Sequence, residues 1–182
     1  RRRKTLRTFI TADLHLGHAN IIKYANRPFK NVDHMDAEII RRWNERVKPE
    51  DTVIHNGDFC FYARNEKRGE GSVVKFKDWR GLLNGNIIFI GGNHDKRSNG
   101  IVSHISSMVL YFGKKEIWVT HKPQNMNTAY QINFTAHSHD AWDHRFVYDG
   151  EKKIILINVG TDQWNFYPQT VQEILDKYRK FI

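Results

Sequence analysis

The feature that most restricts how this chain can fold is a repeated one: a short apolar run that stops abruptly at residues able to bind a cation or move a proton. Thr8-Phe9-Ile10-Thr11-Ala12 ends at Asp13-Leu14-His15, and Thr52-Val53-Ile54-His55 leads to Gly57-Asp58. Asn86 to Ile90 runs into Gly91-Gly92-Asn93-His94-Asp95, Glu116 to Thr120 into His121, and Asn133 to Ala136 into His137-Ser138-His139. Runs this short, rich in Ile, Val and Phe and bounded by Gly, Asp and Asn, read as buried strands.

Helical periodicity separates them. Met35, Ile39, Trp43 and Val47 form one apolar stripe, with Asp33 as the expected cap and Pro49 at the exit. Phe76, Trp79 and Leu83 share a face of a second helix that opens between Gly69 and Ser72 and stops at Gly85. Ile101 to Met108 reads as a short helix. Val109 to Phe112 and Glu116 to Thr120 read as a strand pair around Gly113-Lys114, and Lys153 to Val159 as a further strand. Thr170-x-x-Glu173 is a capping box, followed by Val171, Ile174, Leu175 and Tyr178 at helical spacing. Strands alternate with helices early and cluster late, which predicts a layered α/β fold with helices covering the sheet faces. In such folds ligands collect beyond the strand ends.

Composition enters as a set of bounds. A chain of 182 residues suits one domain with its own core. No apolar run reaches the ~20 residues of a membrane helix, and no secretory leader is visible. Cys60 is the single cysteine, which excludes an internal disulfide and suits a reducing cytoplasm. Residues 1–7 carry five of the nine net positive charges, leaving a mildly basic remainder of +4. The expected organisation is a basic flexible tail over 1–7 and one domain over 8–182. The tail reads equally as an attractor for polyanions and as a solvated end.

A single Asp-x-His arises readily by chance, but five such clusters at five strand exits do not. A pair of cations needs a bridging carboxylate, with imidazoles and oxygens completing each shell. A mixed Asp, Asn and His set suits borderline divalent ions, and the absence of a thiolate cluster excludes a structural zinc finger.

In this order the clusters resemble the calcineurin-like metallophosphoesterase superfamily, from Asp13 to His139. Their flanks, His15-Leu16-Gly17-His18-Ala19-Asn20-Ile21-Ile22, Arg27-Pro28-Phe29 and Gly57-Asp58-Phe59, are similar to those of small single-domain phosphoesterases of bacteria and phages. The resemblance implies a four-layered α/β/β/α sandwich with two divalent metals at its edge, Mn²⁺ first, with Fe, Zn or Ni as other occupants. It assigns Asp13, His15 and His139 to one metal and Asn93, His121 and His137 to the other, with Asp58 bridging. His94 would contact the phosphate or protonate the leaving oxygen, with Asp95 orienting its ring. The implied activity is hydrolysis of a phosphate ester by a bridging hydroxide that the metals activate. A nuclease or cyclic-nucleotide phosphodiesterase is the alternative, and a non-catalytic metal-stabilised binding module a further one. A nucleotide or nucleic acid remains open as substrate, monoester and diester are undistinguished, and no oligomeric state follows. The one departure is Ala136, where the family carries glycine.

Other residues carry bland readings beside sharp ones. His18 could reach the substrate or cap the following helix, and Arg27 could clamp a phosphate oxygen or be pinned by a turn. His55 reads as a satisfied core histidine, and His34, His104 and His144 as surface. Cys60 reads as a small buried hydrophobe. Trp142, Trp164, Phe166 and Tyr167 could stack on a nucleobase or seal the core beneath a loop.

Overall fold

The computed structural model describes residues 6–62, 72–95, 103 and 105–182. Its strands are β1 (Thr8–Thr11), β2 (Thr52–Asn56), β3 (Asn86–Ile90), β4 (Ser107–Phe112), β5 (Lys115–Thr120), β6 (Ile132–Thr135), β7 (His144–Asp149), β8 (Lys152–Asn158) and β9 (Gln169–Thr170). The helices are α1 (Ile21–Tyr24), α2 (Val32–Arg46), α3 (Phe76–Gly81) and α4 (Val171–Lys177).

The strands form two sheets, ordered β3-β2-β1-β9 and β4-β5-β6-β8-β7. Alternation along each strand divides its side chains between two cores. Phe9 and Val53 join Met35, Ile39 and Trp43 of α2 and Trp79 of α3 in one cluster. Their neighbours Ile10 and Ile54 point the other way and meet Ile117, Val119, Phe134, Ile155 and Ile157 of the second sheet. Burying one such side chain contributes ~1.5–3 kcal/mol, so these two layers supply the main cohesion. Two sheets with helices thus form the mixed α/β fold expected, and Trp118 and Asn133, which alternate with core residues of the second sheet, hold the chain after β5. Trp118 Nε1 donates to Asn125 O, and Asn133 Nδ2 donates to the carbonyls of Asn127 and Tyr130. No helix among the described residues is long and apolar enough to cross a membrane.

β1, β2 and β3 run parallel to one another, as do β5, β6 and β8. Bonds between the sheets gather their exits: Asn56 Nδ2 donates to Thr120 O at 2.9 Å, and Thr161 N donates to Ala12 O at 3.0 Å. Every cluster singled out in the sequence therefore leaves its strand at one rim.

Several local expectations change. Asn31, not Asp33, caps α2, accepting from His34 N at 2.9 Å. Ser107 and Met108 begin β4 and Ile105 bridges Ile90, so the region read as a helix ending at Met108 ends in strand. Its residues 101, 102 and 104, with His104 among them, lie outside the described residues, as does the 69–71 start of the second helix. That helix begins at Phe76. β7 was not anticipated, and its first residue, His144, is no surface histidine: it stacks on Phe181 and bonds Asp143. Arg7, assigned to the tail, is tied to the domain by Asp51 at 2.6 Å, whereas residues 1–5 lie outside the described residues. The capping box at Thr170 and Glu173 is present as read.

Candidate metal centre

At the common rim, Asp13, His15 and His139 bring one ligand atom each within 4.8 Å of the others, and Asp58, His121 and His137 do the same. Asn93 Oδ1 lies 3.2 Å from His121 Nε2 and so joins the second group. Asp58 stands between the two: its Oδ2 is 3.6 Å from His15 Nε2 and 3.3 Å from His121 Nε2.

The backbone is bent to achieve this. Asp13, His15, Asp58, His137 and His139 all lie in the left-handed region, with φ of 56°, 51°, 57°, 70° and 46°. Each such non-glycine residue costs about 1 kcal/mol or more, and strain of this kind gathers where function requires it. Each bend turns a side chain back over the rim as the chain leaves its strand. Glycine is required where the loops touch: a Cβ at Gly92 would sit 2.2 Å from Asp58 Oδ1, and one at Gly57 2.4 Å from His121 Nδ1. Ala136 is not among the left-handed residues, and its N–H donates to His121 O at 2.8 Å. Its methyl therefore meets no conformational obstacle.

The donor set suits cations. Asp13 Oδ1 and His15 Nε2 are buried without a hydrogen-bond partner among the described residues, an arrangement that costs 1–3 kcal/mol per group unless something else satisfies them. His121 Nδ1 lies 2.8 Å from Asn56 O and His139 Nδ1 lies 3.0 Å from Asp162 Oδ2. Each ring thus spends one nitrogen on an acceptor and keeps the other for the centre. Burial raises Asp13 to about 6, against the pull of His121 and His139. Burial, with Arg27 and His139 adding to it, holds His15 well below the ordinary imidazole range. Burial also opposes charge on His121, yet the hydrogen bond to Asp58 and the field of Asp13 outweigh it and push that group up to about 9. The site is therefore one in which two carboxylates hold positive charge.

Residues 6–174 match the calcineurin-like phosphoesterase superfamily domain. The chain belongs to that superfamily. It is 32% identical over 176 residues to an uncharacterized protein of Methanocaldococcus jannaschii, covering 94% of this chain and 91% of the relative. Its fold is similar to that of a protein of unknown function from Aquifex aeolicus, with a TM-score of 0.63 at 21% identity, covering 95% of this chain and 99% of the other. Phosphate esters are the substrates this phosphoesterase family implies.

Against that background three residues stand differently from their sequence reading. Arg27 does not face a phosphate. Its side chain is fully buried and its five N–H groups are all engaged: Nε and Nη2 with Asp162 at 2.8 and 3.0 Å, Nη2 with Asp13 O at 2.6 Å, Nη1 with Leu14 O at 3.0 Å and Met35 Sδ at 3.5 Å. Nothing is left to donate to a substrate. Asp95 accepts from the N–H groups of Asp58, Phe59 and Gly92 at 2.7, 3.0 and 2.9 Å, so both its oxygens staple two loops together. The ring of His94 lies instead against His15, His18 and Phe61. His18 does not cap α1: it stacks on Phe61, with Nδ1 at 3.3 Å from His15 Nδ1, and burial first and His94 next lower it to about 4.

Asp162 is the residue that sequence reasoning missed. It couples Arg27 to His139, and its signal was available: β8 runs into Gly160-Thr161-Asp162, one more strand ending in a polar cluster. Of the late aromatics, Phe166 is buried against Phe29, and Trp164 lies edge-on to Tyr178, so both seal the core.

Proposed function

We propose that this phosphoesterase hydrolyses phosphate esters at a dinuclear centre, with Asp13, His15 and His139 holding one divalent cation, Asn93, His121 and His137 the other, and Asp58 shared. The observation that carries this reading is the placement of Asp58 Oδ2 between His15 Nε2 and His121 Nε2. Two cations held there would acidify a water and neutralise charge on the phosphoryl oxygens. Mn²⁺ suits the mixed nitrogen and oxygen donors, and a cytoplasmic location suits the lone buried thiol of Cys60.

The protein's own groups do the rest. For His15 to offer Nε2, its proton must sit on Nδ1, where it donates to His18 Nδ1, so His18 acts by fixing the tautomer of His15. His94 N donates to Asp58 Oδ1 at 2.8 Å, which holds the His94 loop against the bridging carboxylate. From that loop the His94 imidazole donates a proton to the leaving oxygen. Asp95 positions it through the backbone.

The reading is tested by adding Mn²⁺ to purified protein with an aryl phosphate monoester and an aryl phosphodiester. Turnover of at least one is expected, and the preference separates phosphatase from phosphodiesterase. His94→Ala should keep both metals and lose roughly 10²–10⁴-fold in kcat. Metal bound without turnover of either ester would indicate a binding module instead.

A further inference from the structure

Beside the second ligand group the rim opens into a cleft of about 250 Å³, whose wall includes Gly91, Asn93, His121, Lys122, Asn125 and Ser106. Asn93 and His121 are members of the candidate centre, so this cleft adjoins it directly. Three further side chains face the same space: Lys122, Asn125 and Ser106. Among the described residues none of the three makes a side-chain hydrogen bond or ion pair. A cation placed beside metal ligands, with no carboxylate to neutralise it, raises the local potential for anions. Its neighbour across the rim differs: on the His15 side the wall is the stacked rings of His18 and Phe61.

Resting on the hydrolase reading above, we infer that this cleft is a subsite for a second anionic group of the substrate, held by Lys122 with Asn125 and Ser106 as hydrogen-bonding partners. The substrate class is then a phosphate ester that carries another phosphate a few bonds from the one hydrolysed. The size agrees. At about 30 Å³ per water the cleft holds roughly eight waters, enough for a phosphate and part of a sugar. It falls short of the roughly 300–1,000 Å³ that encloses a whole drug-sized ligand. Lys122 supplies a mobile point charge on a flexible stem, which suits a group whose position varies between substrates.

The test compares binding of adenosine 5′-monophosphate and adenosine 3′,5′-bisphosphate to Mn²⁺-loaded protein by calorimetry. The wild type should bind the bisphosphate roughly tenfold more tightly, the scale of one charge-assisted contact. K122Q should reduce that ratio to about twofold or less, while K122R retains most of it and both variants keep wild-type metal content. An unchanged ratio in K122Q would overturn the assignment. So would equal weakening of both nucleotides, or loss of metal, since each places Lys122 on the reacting phosphate or the centre itself. Because the readout is binding, a protein that turns over no ester yet shows the expected ratio would refute hydrolysis and leave the subsite standing.

Discussion

The two halves of the candidate centre are built in opposite ways. Around Asp13, His15 and His139 every supporting group is buried: Arg27 grips Asp162, Asp162 takes His139, and Arg27 also holds the carbonyl of Asp13. Around Asp58, His121 and His137 support comes from short loops, tied by Asp95 and by the close approach of Gly92, and the wall beyond opens into the Lys122 cleft. The first half is held by charge in a dry environment, where a broken pair is expensive. The second is held by backbone hydrogen bonds and leaves room for another molecule. The contrast teaches that two similar sets of donor groups on one rim can be braced by different forces, one by buried charge and the other by backbone hydrogen bonds.

The largest break in that contrast should come from Arg27→Leu. It leaves Asp162 buried without its partner, and removing one member of a buried pair typically costs 3–5 kcal/mol. Denaturant unfolding should show a loss of that size, whereas Asp95→Asn on the open side, which keeps one of its two accepting oxygens, should lose less, about 1–3 kcal/mol. If the two variants were equally destabilised, the asymmetry would be wrong.

Next in size is an effect of pH beneath the open side. His55 is fully buried against Phe59 and Phe89, with neither ring nitrogen hydrogen-bonded among the described residues, so it is a core histidine but not a satisfied one. Burial lowers it to about 3, with Asp58 opposing and His121 adding a smaller push in the same direction. Below pH 6.5 the unfolded chain binds a proton at this position that the folded chain refuses, so stability is complete above that pH and is lost as pH falls towards about 3. The loss should reach about 3 kcal/mol by pH 4. His55→Leu should flatten this part of the pH–stability curve, and an unchanged slope would count against the assignment.

The smallest of the three is Asp162→Asn. The side chain stays in place but no longer draws the proton of His139 Nδ1 as strongly, which should weaken cation binding about 10–100-fold. Titration of the metal-free protein with Mn²⁺ should then resolve one weakened site and one of wild-type affinity. Two sites weakened alike would mean the halves act as one unit.

Much of this was legible in the order of residues. Five strand exits ending in Asp, Asn and His locate the rim, because an apolar run must be buried and the polar residues that follow it must leave the layer together. The capping box at Thr170 and the apolar stripe of α2 were equally plain, since both depend on residues a few positions apart. Arg27 was misread because its role is set by Asp162, which lies 135 residues further along the chain, and no local pattern links the two. β4 and β7 were misjudged for a related reason: they are edge strands whose mixed patterns take their meaning from the strand beside them. Short-range periodicity and residue chemistry thus carry the elements and the ligand types. Which arginine is walled in, which acid braces His139 and where a cleft stays open follow from packing between distant segments, where burial and distance set the strength of every charge.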